Sequence, residues 1–175
     1  MTILTQGTSA SLSGTLTAGK TWLPGGGTSA ATPQEMFADL ALAFKTIFDT
    51  TFGILEADTV VFPTKIQSFL NSTLAQGTFN SKTIMQLMKE ANPWMKNVEY
   101  WSRLDTMGAD GKGRIVVYKK DPRVLEFLVS QDFESFPPEV RGMQFTINCH
   151  ARIGGVQLRY PRAMIYLDGC GGTIS

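Results

Sequence analysis

Between Gln144 and Arg152 polar and apolar side chains alternate without a break. Gln144, Thr146, Asn148, His150 and Arg152 take one set of positions, and Phe145, Ile147, Cys149 and Ala151 take the other. A period of two belongs to a half-buried strand, because successive side chains leave a strand on opposite faces. Gly154-Gly155 then predicts a tight turn, since glycine takes positive φ at both central positions without strain. Val156, Leu158 and Tyr160 resume the alternation, so the closing segment is expected to be a β-hairpin with a third short strand after it. Arg141, Arg152, Arg159 and Arg162 decorate this sheet, and nothing in it has the look of a catalytic pocket.

A chain of 175 residues suits one domain or two small ones and buries roughly 70% of its unfolded surface on folding. Its apolar fraction of 43% is ordinary for a globular protein. Sixteen basic against fifteen acidic residues leave a formal charge of +1, so no global field draws the chain to nucleic acid or an anionic membrane. No apolar run reaches about 18 residues, the length a membrane-spanning helix needs. The start, Met1 to Gln6, has neither the basic residues nor the apolar core of a secretion signal. Without secretion the sequon Asn71-Ser72-Thr73 is empty. Cys149 and Cys170 are therefore expected to be free thiols in a reducing compartment.

Residues 1–32 are rich in Ser, Thr, Gly and Ala, and their few apolar groups predict an extended arm. Leu12, Leu16 and Trp22 are its candidates for ordering against a neighbour. Thr32-Pro33-Gln34-Glu35 reads as a capping box with proline in the first turn. Met36, Phe37, Leu40, Ala41, Phe44, Ile47 and Phe48 then form one stripe of a helix that Gly53 ends. A strand over Thr59–Phe62 follows, then a short helix opened by Pro63 with Ile66, Phe69 and Leu70 inward. Ser81 is expected to cap a further helix carrying Ile84, Leu87, Met88 and Ala91, stopped by Asn92-Pro93. Val98–Trp101 and Arg114–Tyr118 read as strands, and Val124–Val129 as an apolar run before the crossover Phe136-Pro-Pro138. Helices and strands without regular βαβ alternation indicate an α+β protein.

Residues 14–21, Gly14 through Gly19-Lys20-Thr21, match the phosphate-cradling P-loop pattern literally. That chemistry requires a buried strand before the glycines and a helix starting at the lysine, so that backbone N–H groups face the phosphates. Here Ser-rich residues precede the match, and Trp22-Leu23-Pro24-Gly25 opposes a helix after it. A nucleotide-binding enzyme is thus the weaker alternative. Cys149 and His150 invite a thiol–imidazole reading, but adjacent strand residues face opposite ways. With one histidine in the chain, zinc and triad arrangements are hard to build; a packed cysteine and a surface histidine are expected. No cofactor and no catalytic group is assigned. The four closing arginines suit pairing with carboxylates of a neighbouring subunit, favoured over contact with DNA phosphates. Trp94, near a loop–strand boundary, and Trp22 in the arm are further interface candidates, since Trp and Arg dominate binding hot spots.

The closing run from Phe145 to Gly169, with Cys149-His-Ala-Arg-Ile-Gly-Gly-Val156 and Tyr160-Pro-Arg-Ala-Met-Ile-Tyr-Leu-Asp-Gly169, resembles the C-terminus of the major capsid proteins of tailed phages. The helix from Pro33, Ala57-Asp-Thr-Val-Val-Phe-Pro63, Thr83–Lys89, Val98–Trp101 and Arg114–Lys119 agree with that family in order, so the resemblance covers about residues 30–170. It implies the Hong Kong 97-type capsid fold. In that fold residues 33–58 and 142–172 would form a peripheral domain with a spine helix and sheet, residues 59–141 an apical α/β domain, and residues 1–32 a flexible arm. It further implies a structural head protein of a tailed bacteriophage or prophage, assembled in the host cytoplasm into hexamers and pentamers of an icosahedral shell around DNA, with portal or scaffold proteins as further partners and no membrane. An encapsulin-like compartment is the alternative within the fold. Family members carry a long N-terminal arm and extended β-loop before the spine helix, so the chain reads as a C-terminal portion and is expected to be monomeric or weakly associated on its own.

Overall fold

The computed structural model describes residues 12–15, 20–23, 29–74, 82–108 and 111–171. In chain order the elements are β1 (Leu12–Thr15), β2 (Lys20–Thr21), β3 (Ser29–Ala30), α1 (Pro33–Thr50), β4 (Thr59–Phe62), α2 (Thr64–Ser72), α3 (Ile84–Ala91), β5 (Asn97–Tyr100), β6 (Arg114–Tyr118), β7 (Leu125–Ser135), β8 (Glu139–Arg141), β9 (Gln144–Thr146), β10 (Cys149–Leu158) and β11 (Met164–Asp168). Five of the strands form one mixed sheet in the order β1-β11-β6-β4-β5. β11 runs antiparallel to β6 and parallel to β1, with Tyr166 opposite Val116.

The central strands have no polar face. All of β4 and β6 is buried, as is β11 up to Leu167. Val60, Phe62, Ile115, Val117, Ile165 and Leu167 point to one side, where Met36, Leu40 and Ile47 of α1, Ile66 and Leu70 of α2, and Ile84 and Met88 of α3 cover them. Val61, Val116, Tyr118, Met164 and Tyr166 point to the other side, under Leu104, Trp101 and the first residues of the β7–β10 pair. Full burial of one such side chain is worth about 1.5–3 kcal/mol, so this three-layered body carries the stability of the chain.

α1 begins as its sequence predicts. The Glu35 N–H donates to Thr32 Oγ1 at 3.4 Å, and the Thr32 N–H donates to Glu35 Oε2 at 2.8 Å. Lys20 also reaches the Glu35 carboxylate. That ammonium, with the Thr32 N–H beside it, holds the Glu35 carboxyl at about 2. α3 is capped by Thr83 with Gln86 at 3.0–3.4 Å rather than by Ser81, which lies outside the described residues. A cap must sit one residue before the first helical turn to reach its free N–H groups, and here that residue is Thr83.

Two other expectations change. The described parts of the 1–32 arm are docked, not free: β1 completes the sheet and Trp22 is buried, donating from Nε1 to Asp39 at 3.2 Å with its ring 6.2 Å from that of Phe62. Leu16 lies outside the described residues. Gly154-Gly155 is not a turn but an irregularity inside the single strand β10. Gly155 has φ 96°, and a Cβ on Gly154 would stand 3.3 Å from that of Leu128, so the pair lets two backbones approach while one extra residue is absorbed. α1, β4, β6 and β11 share one core. What stands apart from this body is the segment 125–158.

Asp58 ties the sheet together. Its carbonyl accepts from the Lys96 and Asn97 N–H groups at 2.9 and 3.0 Å, where β5 begins. Its carboxylate accepts from the Lys120 N–H at 2.8 Å and the Thr59 hydroxyl at 2.9 Å, and lies 2.9 Å from the Lys119 ammonium. Burial alone would push this acid up, but those donors together hold it below the ordinary carboxylate value. The stability it supplies is complete above that ordinary value and is lost as pH falls through the lower folded value. Asp58→Asn is expected to flatten the acid limb of the stability–pH curve below about pH 4, read as urea midpoints across pH. Trp22→Ala is expected to cost about 3–5 kcal/mol by urea unfolding, whereas Trp94→Ala, half exposed, should stay within about 0.5 kcal/mol.

Candidate functional site

β7 and β10 form an antiparallel ribbon that leaves the body, and β8 and β9 continue it to a tip at Gly142-Met143. The Phe136 N–H, donating to Asn148 O at 2.9 Å, links the two ladders. Eleven residues of strand give β7 a length of about 35 Å. The root is anchored: Val124 is buried, and the Arg159 N–H donates to Val124 O at 2.8 Å. Beyond the root almost every side chain is exposed. An isolated two-stranded ribbon is marginally stable in water, so this one needs a surface to lie against.

Its register says which face that is. Leu125 pairs with Leu158, Phe127 with Val156 and Val129 with Ile153, three successive apolar pairs on one face. Leu125 and Leu158 pack on the Tyr118–Tyr166 side of the body, so the stripe is a continuation of the core outward. Phe127, Val129 and Ile153 are 56%, 48% and 63% exposed. The opposite face carries Glu126, Gln157 and Leu128. Three register shifts, between His150 and Arg152, Arg152 and Ile153, and Ile153 and Gly155, interrupt the ladder. Bulges of this kind hinder edge-to-edge strand addition. The shifts leave the apolar face, rather than the strand edges, as the surface open to contact.

The arginines expected to cluster are spread along this length. Arg141 is at the tip, 3.4 Å from Glu139. Arg152, opposite Gln131, is exposed and has no ion-pair partner among the described residues. Arg159 at the root is paired with Glu126 of the neighbouring strand. Arg162 is on the body, in the short turn Pro161–Ala163 before β11. Alternation showed that they share a sheet, but not that the ribbon would separate them. Trp94 is about half exposed after α3. Trp22, buried in its own chain's core, presents nothing to a neighbour. The residues missed from sequence are Phe127, Val129 and Ile153; Val124–Val129 is visible as an apolar run, but a run reports no exposure.

Among the described residues no catalytic constellation is assembled. Cys149 is exposed rather than packed, and the His150 ring stacks on Phe136 at 5.2 Å while its Nε2 faces Gln131 and lies 3.9 Å from Glu134. Cys170 is buried, and burial pushes its thiol well above the ordinary value. Lys20 and Thr21, the end of the P-loop match, lie in a strand paired with Ser29 and Ala30, so no helix N-terminus begins there, and Lys20 is engaged by Glu35. Gly14 is opposite Leu167 in the main sheet. Residues 16–19 lie outside the described residues.

The family model of the major capsid proteins matches residues 6–170. Solved structures of similar fold include the capsid of Myoviridae phage XM1, at 13% identity and a TM-score of 0.72, covering 93% of this chain and 51% of that one. A phage-related protein from Bordetella bronchiseptica RB50 follows at 11% and 0.62, covering 94% and 58%. A virus-like particle from Pyrococcus furiosus aligns at 16% and 0.58, covering 92% and 57%. This chain therefore spans a little over half the length of those chains. No curated protein matches it in sequence. The thiol geometry gives a direct check on the body: a thiol reagent should modify Cys149 in the native chain at once and Cys170 only after unfolding, counted by mass spectrometry.

Proposed function

The chain belongs to the major capsid protein family, and from that premise we propose that it is a structural subunit of a tailed-phage head that associates with copies of itself in the hexamers and pentamers of an icosahedral shell. The observation that carries this reading is the ribbon face. Phe127, Val129, Val156 and Ile153 extend the core into solvent, and contiguous apolar surface of this kind marks a protein interface. A shell subunit offers such surfaces to identical neighbours, whose repeated heterologous contacts close into rings. The work is done by contact alone, and no enzymatic step is assigned.

The charges agree with protein partners. Two of the four candidate arginines are already matched by carboxylates within the ribbon, and the formal charge of +1 supplies no general field for DNA. Arg152 and Arg162 are left for carboxylates of a neighbour. The site of action on this reading is the virion head.

The test is association of the purified chain. Light scattering is expected to show weak, concentration-dependent mass growth, with rings or shells in electron micrographs of the gene product. Phe127→Asp with Ile153→Asp, at exposed positions, should leave the melting temperature within a few degrees and weaken association at least tenfold. A strictly monomeric wild-type chain at millimolar concentration, or a double variant that associates unaltered, overturns the proposal.

A further inference from the structure

α1 ends in a turn that is strained and apolar at once. Phe52 has φ 54°, the only positive φ at a non-glycine position among the described residues, and its side chain is 86% exposed. Left-handed backbone at a residue with a bulky side chain costs of order 1 kcal/mol. Ile54, two residues on, is 80% exposed. Neither side chain is buried within the chain to offset that cost. The turn is nonetheless held firmly: the Phe52 N–H donates to Asp49 O, the Gly53 N–H to Phe48 O at 2.8 Å, the Ile54 N–H to Thr51 O at 3.1 Å, and the Leu55 N–H to Thr51 Oγ1. Phe52 and Ile54 are a fixed apolar knob.

Beside it is a hollow of about 340 Å³ lined by Phe44 and Phe48 of α1, Ala57, and Trp94, of a size that accepts a buried group. Trp94 and Phe48 are each close to half exposed at its mouth. Lys45 and Glu56 also line it, and neither has an ion-pair partner among the described residues. The knob is flanked by its own pair of ionic groups without such a partner: Asp49 on α1, and Arg162, which lines the shallow depression formed with Phe52, Ile54 and Tyr160. One surface therefore offers an apolar knob with Asp49 preceding it on α1 and Arg162 lining the same depression, and the other an apolar hollow lined by Lys45 and Glu56.

We propose that the Phe52–Ile54 knob of one copy seats in the Trp94–Phe48 hollow of a second copy, with Asp49 meeting Lys45 and Arg162 meeting Glu56 across the contact. The proposal rests on the self-associating subunit read above and assigns that association a specific contact on the body, separate from the ribbon. The rigid turn means little ordering is needed on binding, which favours an anchor at this place. A central Trp and Phe ringed by charges is the composition of an interface hot spot.

The test separates this contact from association in general. Phe52→Asn keeps a residue that accepts left-handed backbone while removing the ring. It is expected to leave the melting temperature equal or higher and to weaken association at least tenfold, opposite signs that a merely structural Phe52 would not give. Arg162→Glu and Glu56→Arg should each weaken association severalfold, and the double variant should restore it. A photoreactive benzoylphenylalanine in place of Phe52, in an equal mix of ordinary and 15N-labelled chains, should give mixed-isotope links to peptides containing Phe44–Phe48 or Trp94. Association that survives Phe52→Asn, with links elsewhere or to another protein, overturns this contact and leaves the subunit reading intact. A wild-type chain that never associates overturns both.

Discussion

The fold depends on one constraint: the strands at the centre of the sheet are apolar on both faces and must be covered twice. β11 shows it most clearly. Met164 and Tyr166 face one side, Ile165 and Leu167 the other, and all four are buried. The strand sits between β1 and β6, so segments from the two ends of the chain and its middle meet along one ladder. Helices α1 to α3 supply the first cover. The root of the ribbon supplies the second, which is why a segment that otherwise projects from the body is fastened firmly where it leaves.

The same requirement then acts at the surface. Burying one face of the sheet under the ribbon root starts an apolar stripe that does not stop when the body ends. Phe127, Val129 and Ile153 continue it into water, while bulges on the same ribbon discourage strand addition along its edges. At the far end of α1, Phe52 and Ile54 stand out, 86% and 80% exposed, on a strained turn. A protein that folds alone removes such groups or covers them. On the proposed reading as a shell subunit, such groups are kept for contact with a neighbouring copy.

Ionic groups divide along the same line. Buried or half-buried pairs, Asp58 with Lys119 and Arg114 with Asp168 at 2.6 Å, fix strand ends within the body. Arg114 also lies 4.9 Å over the Tyr166 ring, so the same side chain closes both an ion pair and a core face. Exposed pairs on the ribbon, Arg159 with Glu126 and Arg141 with Glu139, are screened by water and contribute little stability.

By itself the sequence determined what is local. Thr32-Pro33-Gln34-Glu35 specifies a helix start because a capping box needs only neighbours three residues apart. The stripe from Met36 to Ile47, the Asn92-Pro93 stop and the strand-forming residues after Val98 and Arg114 are likewise short-range signals, and the order of those elements carried the family resemblance. The tertiary structure decided what depends on partners far along the chain. Gly154-Gly155 has the chemistry of a turn, yet becomes a bulge because β7 pairs straight across it. Trp22, in a stretch with the composition of a free arm, is buried because Asp39 and Phe62 make a place for it. Val124–Val129 reads as an apolar run, but only its first residues are covered. Periodicity states that one face is apolar; which face meets water is set by packing between residues whose separation no local pattern records.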